Sequence, residues 1–144
     1  MSVELSELVC FNFYKGWREV KAFYQEFFGS DISPQNVYIL ELCDLDKQFT
    51  MQQLAEKMEL DGSAISTLVS RMEKKSLLKR IHGKKDRRKV YVQLTKEGDE
   101  LKQALQEKLR LLTKSLTNNL QDDDIKNLKE IVKVIRGNKE QLAP

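Results

Sequence analysis

Lys79, Arg80, Lys84, Lys85, Arg87, Arg88 and Lys89 put seven cations into eleven residues, around Gly83 and a single acid, Asp86. The chemistry open to such a cluster is anion binding. From Arg71 to Lys89 the chain carries ten Lys/Arg against two acids, a local charge of +8, whereas the whole chain is only +3. The remainder is therefore acidic, and the asymmetry points to one localised anion-binding surface. A charge run can also be no more than a solvated face; the residues on either side decide between the two readings.

Upstream lies SAISTLVSRMEKKSLL, read as a helix. Ile65, Leu68, Val69 and Met72 recur at helical spacing on one face, and Ser63, Ser66, Thr67, Ser70 and Lys74 occupy the other. Short hydroxyl side chains let a helix backbone approach a groove floor and donate to phosphates or base edges. MQQLAEKM, with Thr50 as its N-cap, precedes it across ELDGS, a tight turn expected to centre on glycine. The two segments form a helix-turn-helix candidate. Downstream, LLKRI and KVYVQL read as antiparallel strands about a turn region at Gly83. A helix pair followed by a basic hairpin is the order of a winged helix, and the hairpin tip would reach along DNA beside the second helix. An A·T-narrowed minor groove attracts inserted arginine.

The flanks must position this lobe. Residues 3–28 read as one long helix, with Leu5, Leu8, Val9, Phe13, Trp17, Val20, Tyr24 and Phe27 at spacings of three and four. Residues 35–45 follow as a short buried helix opened by Pro34. Thr95 caps a helix to about Leu116, and QDDD starts a last one bearing Ile125, Leu128, Ile131, Val132 and Ile135. Asp122, Asp123 and Asp124 suit that helix's N-terminal dipole. The terminal helices are more apolar than one lobe can cover, which predicts burial against a second copy.

Other chemistry is sparse. Cys10 and Cys43 do not form a disulfide framework, and Cys43 sits among apolar residues as core. His82 is the sole histidine, so neither a His-rich zinc site nor any other metal or cofactor is expected, and His82 belongs on the hairpin. No phosphate-binding glycine loop, nucleophile elbow or paired carboxylate is visible, so the chain does not read as an enzyme. At 144 residues, with Glu4 and Glu7 where a leader would be basic and no membrane-spanning apolar run, a single cytoplasmic domain is expected.

QQLAEKMELDGSAISTLVSRMEKKSLLKR and KKDRRKVYVQLTKEG resemble the MarR family of bacterial transcriptional regulators, through the Asp86-x-Arg88 wing motif and the Leu94-Thr95-x-x-Gly98 helix start. The resemblance extends over nearly the whole chain. It implies a mainly α fold with a small β-hairpin wing: a winged helix-turn-helix lobe at 34–116 and dimerisation helices at 1–33 and 117–144. It also implies an obligate homodimer on a pseudo-palindromic double-stranded operator, acting as a repressor that an effector releases. Ser63, Ala64, Ser66, Thr67 and Ser70 would read the major groove. Lys84, Lys85, Arg87 and Arg88 would contact DNA, with Arg88 in the minor groove. Asp86 and Arg71 would pair and orient the wing. LVCFNFYKGWREVKAFY further resembles the first helix of the single-cysteine organic-hydroperoxide and redox-sensing branch, in which Cys10, Tyr14 and Tyr24 would form the sensor. Cys10 and Tyr14 are one turn apart. Cys10 and Tyr24 are about 21 Å apart along a straight helix and could meet only across a two-fold axis. The other reading of Cys10 is a small core hydrophobe. A functional alternative is a winged helix that binds an acidic protein partner through its basic patch.

Overall fold

A computed structural model of the chain describes residues 2–142, which divide into two compact units, one up to Leu112 and one from Thr113 onward. The element order is α1 (Val9–Phe28), α2 (Pro34–Leu42), β1 (Phe49–Thr50), α3 (Met51–Met58), α4 (Gly62–Lys74), β2 (Leu78–His82), β3 (Val90–Leu94), α5 (Lys96–Leu116) and α6 (Asp122–Gln141). The fold is mainly helical, with a small antiparallel sheet as the wing.

The first helix starts later than its apolar spacing predicts. A 3-10 turn at Leu5–Glu7 precedes it, and Leu8 is extended between the two. Asn12 accompanies the break: its side-chain amide donates to Ser6 O at 2.8 Å and to Leu8 O at 2.9 Å, so Ser6 O is bonded by a side chain and not by the helix backbone. α2 and α3 begin with reciprocal caps, Ser33 with Asn36 and Thr50 with Gln53, each satisfying two otherwise orphaned N–H groups. α2 ends at Leu42, short of the predicted residue 45, with Cys43 extended.

The turn between α3 and α4 is not centred on glycine. Glu59 takes the left-handed conformation at φ 54°, and Leu60 N–H bonds Ala55 O at 3.0 Å, closing α3 with a residue that lacks glycine's freedom. Gly62 instead opens α4, behind Asp61, whose carboxylate accepts from Ala64 N–H at 2.7 Å. α4 stops at Lys74 because Ser76 turns left-handed at φ 62° and sends the chain into β2.

The sheet has three strands rather than the two of a hairpin, in the order β1-β3-β2. β1 pairs Phe49 with Val92 and Thr50 with Tyr91. Two residues are too few to produce an alternation in sequence. The lobe core is Ile39, Leu40, Cys43, Leu54, Ile65, Val69, Met72, Leu77, Leu78, Val92 and Leu94. A second cluster joins Tyr24, Val37 and Leu112, with Val20, Phe27, Phe28, Ile32 and Leu109 around it. In the unit from Thr113, Gln121 and Asp124 cap α6, and Leu128, Ile131, Val132 and Ile135 remain exposed along it. No helix among the described residues is long and apolar enough to cross a membrane.

Candidate nucleic-acid interface

The outer face of α4 is built as its spacing predicts. Ile65, Val69 and Met72 are buried, while Ser63 and Thr67 are exposed and Ala64, Ser66 and Ser70 are half-buried. Three of the hydroxyls have defined partners. Ser63 Oγ donates to Asp61 Oδ1 at 2.9 Å, Thr67 Oγ1 donates to Ser63 O at 3.0 Å, and Ser70 Oγ accepts from Arg80 Nη2 at 2.8 Å. Where its hydrogen is committed, as at Ser63 and Thr67, a hydroxyl oxygen presents fixed lone pairs to an approaching donor. The Asp61 carboxyl is held below its usual value, chiefly by the Ala64 N–H and then by the Ser63 hydroxyl. That lowered folded-state value means the cap persists above the ordinary carboxylate range and is lost only as pH falls through the depressed value.

The wing tip is a compact network. Gly83 N–H bonds Lys89 O at 2.9 Å, and Lys89 N–H bonds Asp86 O at 3.1 Å. A side chain at 83 would put its Cβ 2.5 Å from Asp86 O, so glycine is required there by close approach. His82 Nδ1 lies 3.1 Å from Arg87 O; the carbonyl only accepts, so a hydrogen bond here places a ring hydrogen on Nδ1. Lys84, Arg88 and Lys89 are among the exposed cations around this turn, with Lys85 and Arg87 beside them.

The expected Asp86–Arg71 pair is absent, and Asp86 holds Arg88 instead. Asp86 Oδ1 accepts from Arg88 N–H at 3.0 Å and from Arg88 Nε at 3.2 Å, two residues on in the same turn. Those bonds lower the Asp86 pKa. Arg71 lines a shallow depression with Ser33 and Gln35 at the start of α2 and with Ser63, Ala64 and Thr67 on α4. The Arg88 backbone N–H, two residues on, is held in place by the turn itself and fixes the carboxylate beside its own guanidinium.

The tie between wing and α4 is one the basic cluster concealed. Arg80 reaches Ser70 at 2.8 Å and Glu73 at 3.7 Å. A signal existed: Arg80 is two residues beyond Leu78, and strand alternation puts both on the face that looks into the lobe. The register agrees, with Leu78 opposite Leu94 and Arg80 opposite Val92.

The proposed sensor residues do not assemble within the chain. Cys10 is exposed, not a core residue of this chain, whereas Cys43 is fully buried and burial pushes its thiol up to about 11. Tyr14, on the turn after Cys10, is exposed, with its ring 5.9 Å from Phe11 and the Arg18 guanidinium 5.7 Å above it. Tyr24 is buried against Phe28 in its own unit, and burial, then Tyr38, raises its pKa.

Residues 32–90 match the MarR family model. The HTH-type transcriptional regulator SarZ of Staphylococcus aureus is 28% identical over 104 residues, covering 72% of this chain and 70% of SarZ. Among solved structures, the transcriptional regulator BldR of Sulfolobus solfataricus is 26% identical with a TM-score of 0.68, covering 85% of this chain and 88% of BldR. A mutant MarR from E. coli, complexed with operator DNA, superposes with a TM-score of 0.78 at 20% identity, covering 93% of this chain and 99% of that one. The matched segment spans the helix pair and most of the wing, and the chain has a winged helix-turn-helix fold similar to that of the MarR family regulators.

Proposed function

We propose that the protein is a homodimeric, sequence-specific DNA-binding transcription regulator, a repressor on a pseudo-palindromic operator. One observation carries the reading: a helix face of short hydroxyls, Ser63, Ser66, Thr67 and Ser70, is joined through the Arg80–Ser70 bond to the strand that leads into a tip bearing five cations on the same lobe. The hydroxyl face suits base edges and the cations suit phosphate, with Arg88 as the minor-groove residue. The dimer reading is supported by Val9, Phe13 and Trp17 of α1 and Leu128, Ile131, Val132 and Ile135 of α6, all exposed in the single chain. Apolar rows of this kind are covered when copies associate.

Duplex binding across a salt series, with stoichiometry from sedimentation, tests this. Two chains per duplex are expected, with log affinity falling linearly in log salt at a slope on the order of −5. A stable folded monomer, or indifference of duplex binding to salt, would overturn the reading and favour an acidic protein partner for the wing.

Release is assigned to an effector, either a small molecule or an oxidant acting at Cys10. Exposure of Cys10 and the Tyr14 hydroxyl one turn away support the oxidant route. The thiolate attacks the terminal hydroperoxide oxygen, the O–O bond breaks, the departing alkoxide takes up the proton that the thiol released and leaves as the alcohol, and a sulfenic acid remains. Cys10→Ser is expected to bind DNA normally and stay bound under hydroperoxide, while Cys43→Ser still releases. Identical release by wild type and Cys10→Ser would transfer regulation to a small molecule.

A further inference from the structure

We propose that Arg80 is a positioning residue, which fixes the reading face of α4 relative to the wing and thereby sets discrimination between operator and bulk DNA without itself binding phosphate. The inference rests on the DNA-binding reading above.

Arg80 belongs to the densest cationic run in the chain, yet its placement differs from that of its neighbours. Lys84, Lys85, Arg87, Arg88 and Lys89 surround the tip, whereas the Arg80 side chain is only 33% exposed and turned toward the helix. It emerges from β2 opposite the fully buried Val92, on the face shared with Leu78. From there Nη2 donates to Ser70 Oγ and Nε lies near Glu73 Oε1, so two of its donor nitrogens are directed at α4. Ser70 and Glu73 lie three residues apart, on consecutive turns of one helix face. One rigid planar group therefore bridges a strand of the wing to two successive turns of the helix. The Glu73 contact, at 3.7 Å and partly exposed, is a weak ion pair, whereas the 2.8 Å bond to Ser70 is charge-assisted. Such a contact adds little to stability, but it fixes an angle. Wing and helix must enter adjacent grooves together, so their relative angle decides how many base contacts form at once. Phosphate contacts tolerate the same misplacement better, because phosphates recur along every sequence.

The test uses the full-length protein and two probes: a duplex selected by the wild type from a random library, and an unselected random-sequence duplex. Arg80→Gln should weaken binding to the selected duplex about tenfold, leave the random duplex within about twofold, and leave the salt slope unchanged. Arg80→Lys keeps the charge but loses the planar bridge, and should resemble Arg80→Gln. Ser70→Ala combined with Arg80→Gln should lose less than the two single losses combined, because both break one contact. Thermal melting of each variant should stay within a few degrees of wild type. The inference is overturned if Arg80→Gln weakens both duplexes equally with a shallower salt slope, which would make Arg80 a phosphate contact. It is also overturned if Arg80→Lys restores wild-type selectivity, or if Arg80→Gln retains it. A wild type that selects no duplex would instead refute the DNA-binding reading itself.

Discussion

Gly98→Ala is expected to destabilise the lobe by about 3 kcal/mol, a fall in Tm of roughly 10 °C, read by calorimetry or urea unfolding. Gly98 is buried in the first turn of α5, and a Cβ there would sit 2.2 Å from Leu77 O and 2.7 Å from Leu94 Cδ1. The first neighbour is backbone and is held on every side. Leu77 O accepts from Thr95 N–H at 3.1 Å, Leu77 N–H bonds Met72 O at 3.0 Å, and the Thr95 hydroxyl bonds both Ser76 O and the Gly98 N–H. The end of α4, the start of β2 and the start of α5 thus meet at one point, where hydrogen-bonded backbone blocks the added carbon. Gly62→Ala is the control: nothing lies within 4 Å of its missing Cβ and its φ is ordinary, so it should be nearly neutral. A Gly98→Ala variant as stable as wild type would mean that this joint is looser than its hydrogen bonds require.

Arg88→Ala is expected to cost on the order of tenfold to a hundredfold in duplex affinity and to reduce the salt slope by about one. The more informative variants are at Asp86. On charge alone, Asp86→Ala should tighten DNA binding, because a negative group leaves a cationic tip. Yet Asp86 also organises the turn by accepting the Arg88 N–H and by holding one edge of its guanidinium. Asp86→Ala removes both functions and should bind more weakly. Asp86→Asn keeps an acceptor for the Arg88 N–H and drops the charge, so it should bind at least as well as wild type. Tighter binding by Asp86→Ala in filter assays would show that the charge outweighs the turn. The pH dependence follows from the lowered Asp86 pKa: the carboxylate's contribution is complete above its ordinary value near 4 and is lost as pH falls through the depressed folded value. Between about pH 5 and 8 no change in the wing should arise from this group.

The features legible in sequence were those with a period. The buried row Ile65, Val69, Met72 and its hydroxyl counterface follow from a 3.6-residue repeat. β3 follows from the alternation of Val90, Val92 and Leu94, and the Thr50 cap from its place before MQQLAEKM. The features that escaped depend on single residues. Asn12 accompanies the break before α1 with one side-chain amide, Glu59 and Ser76 make left-handed turns without glycine, and β1 has only two residues. At the interface, residue types pointed to the helix face and the wing, but not to which charge meets which. Asp86 had Arg71 and Arg88 both in reach of argument, and proximity in one turn favoured Arg88. Arg80 was hidden by its neighbours, because a cation counted with six others loses the positional information that alternation carries.

The place of β1 in the sheet has a kinetic consequence. β3 is the middle strand, with β2 on one side and the two residues of β1 on the other. The β2–β3 pairing joins near neighbours across a short tip, so its closure costs little chain entropy. The β1–β3 pairing encloses α3, α4 and β2, and Thr50 leads into α3 without an intervening residue. Its closure costs more chain entropy than that of the hairpin unless the helix pair has already brought its ends together. Loop-closure entropy thus favours the hairpin and the helices forming before the β1 seam. A seam of two residues thus ties the middle strand of the sheet to the segment that opens α3.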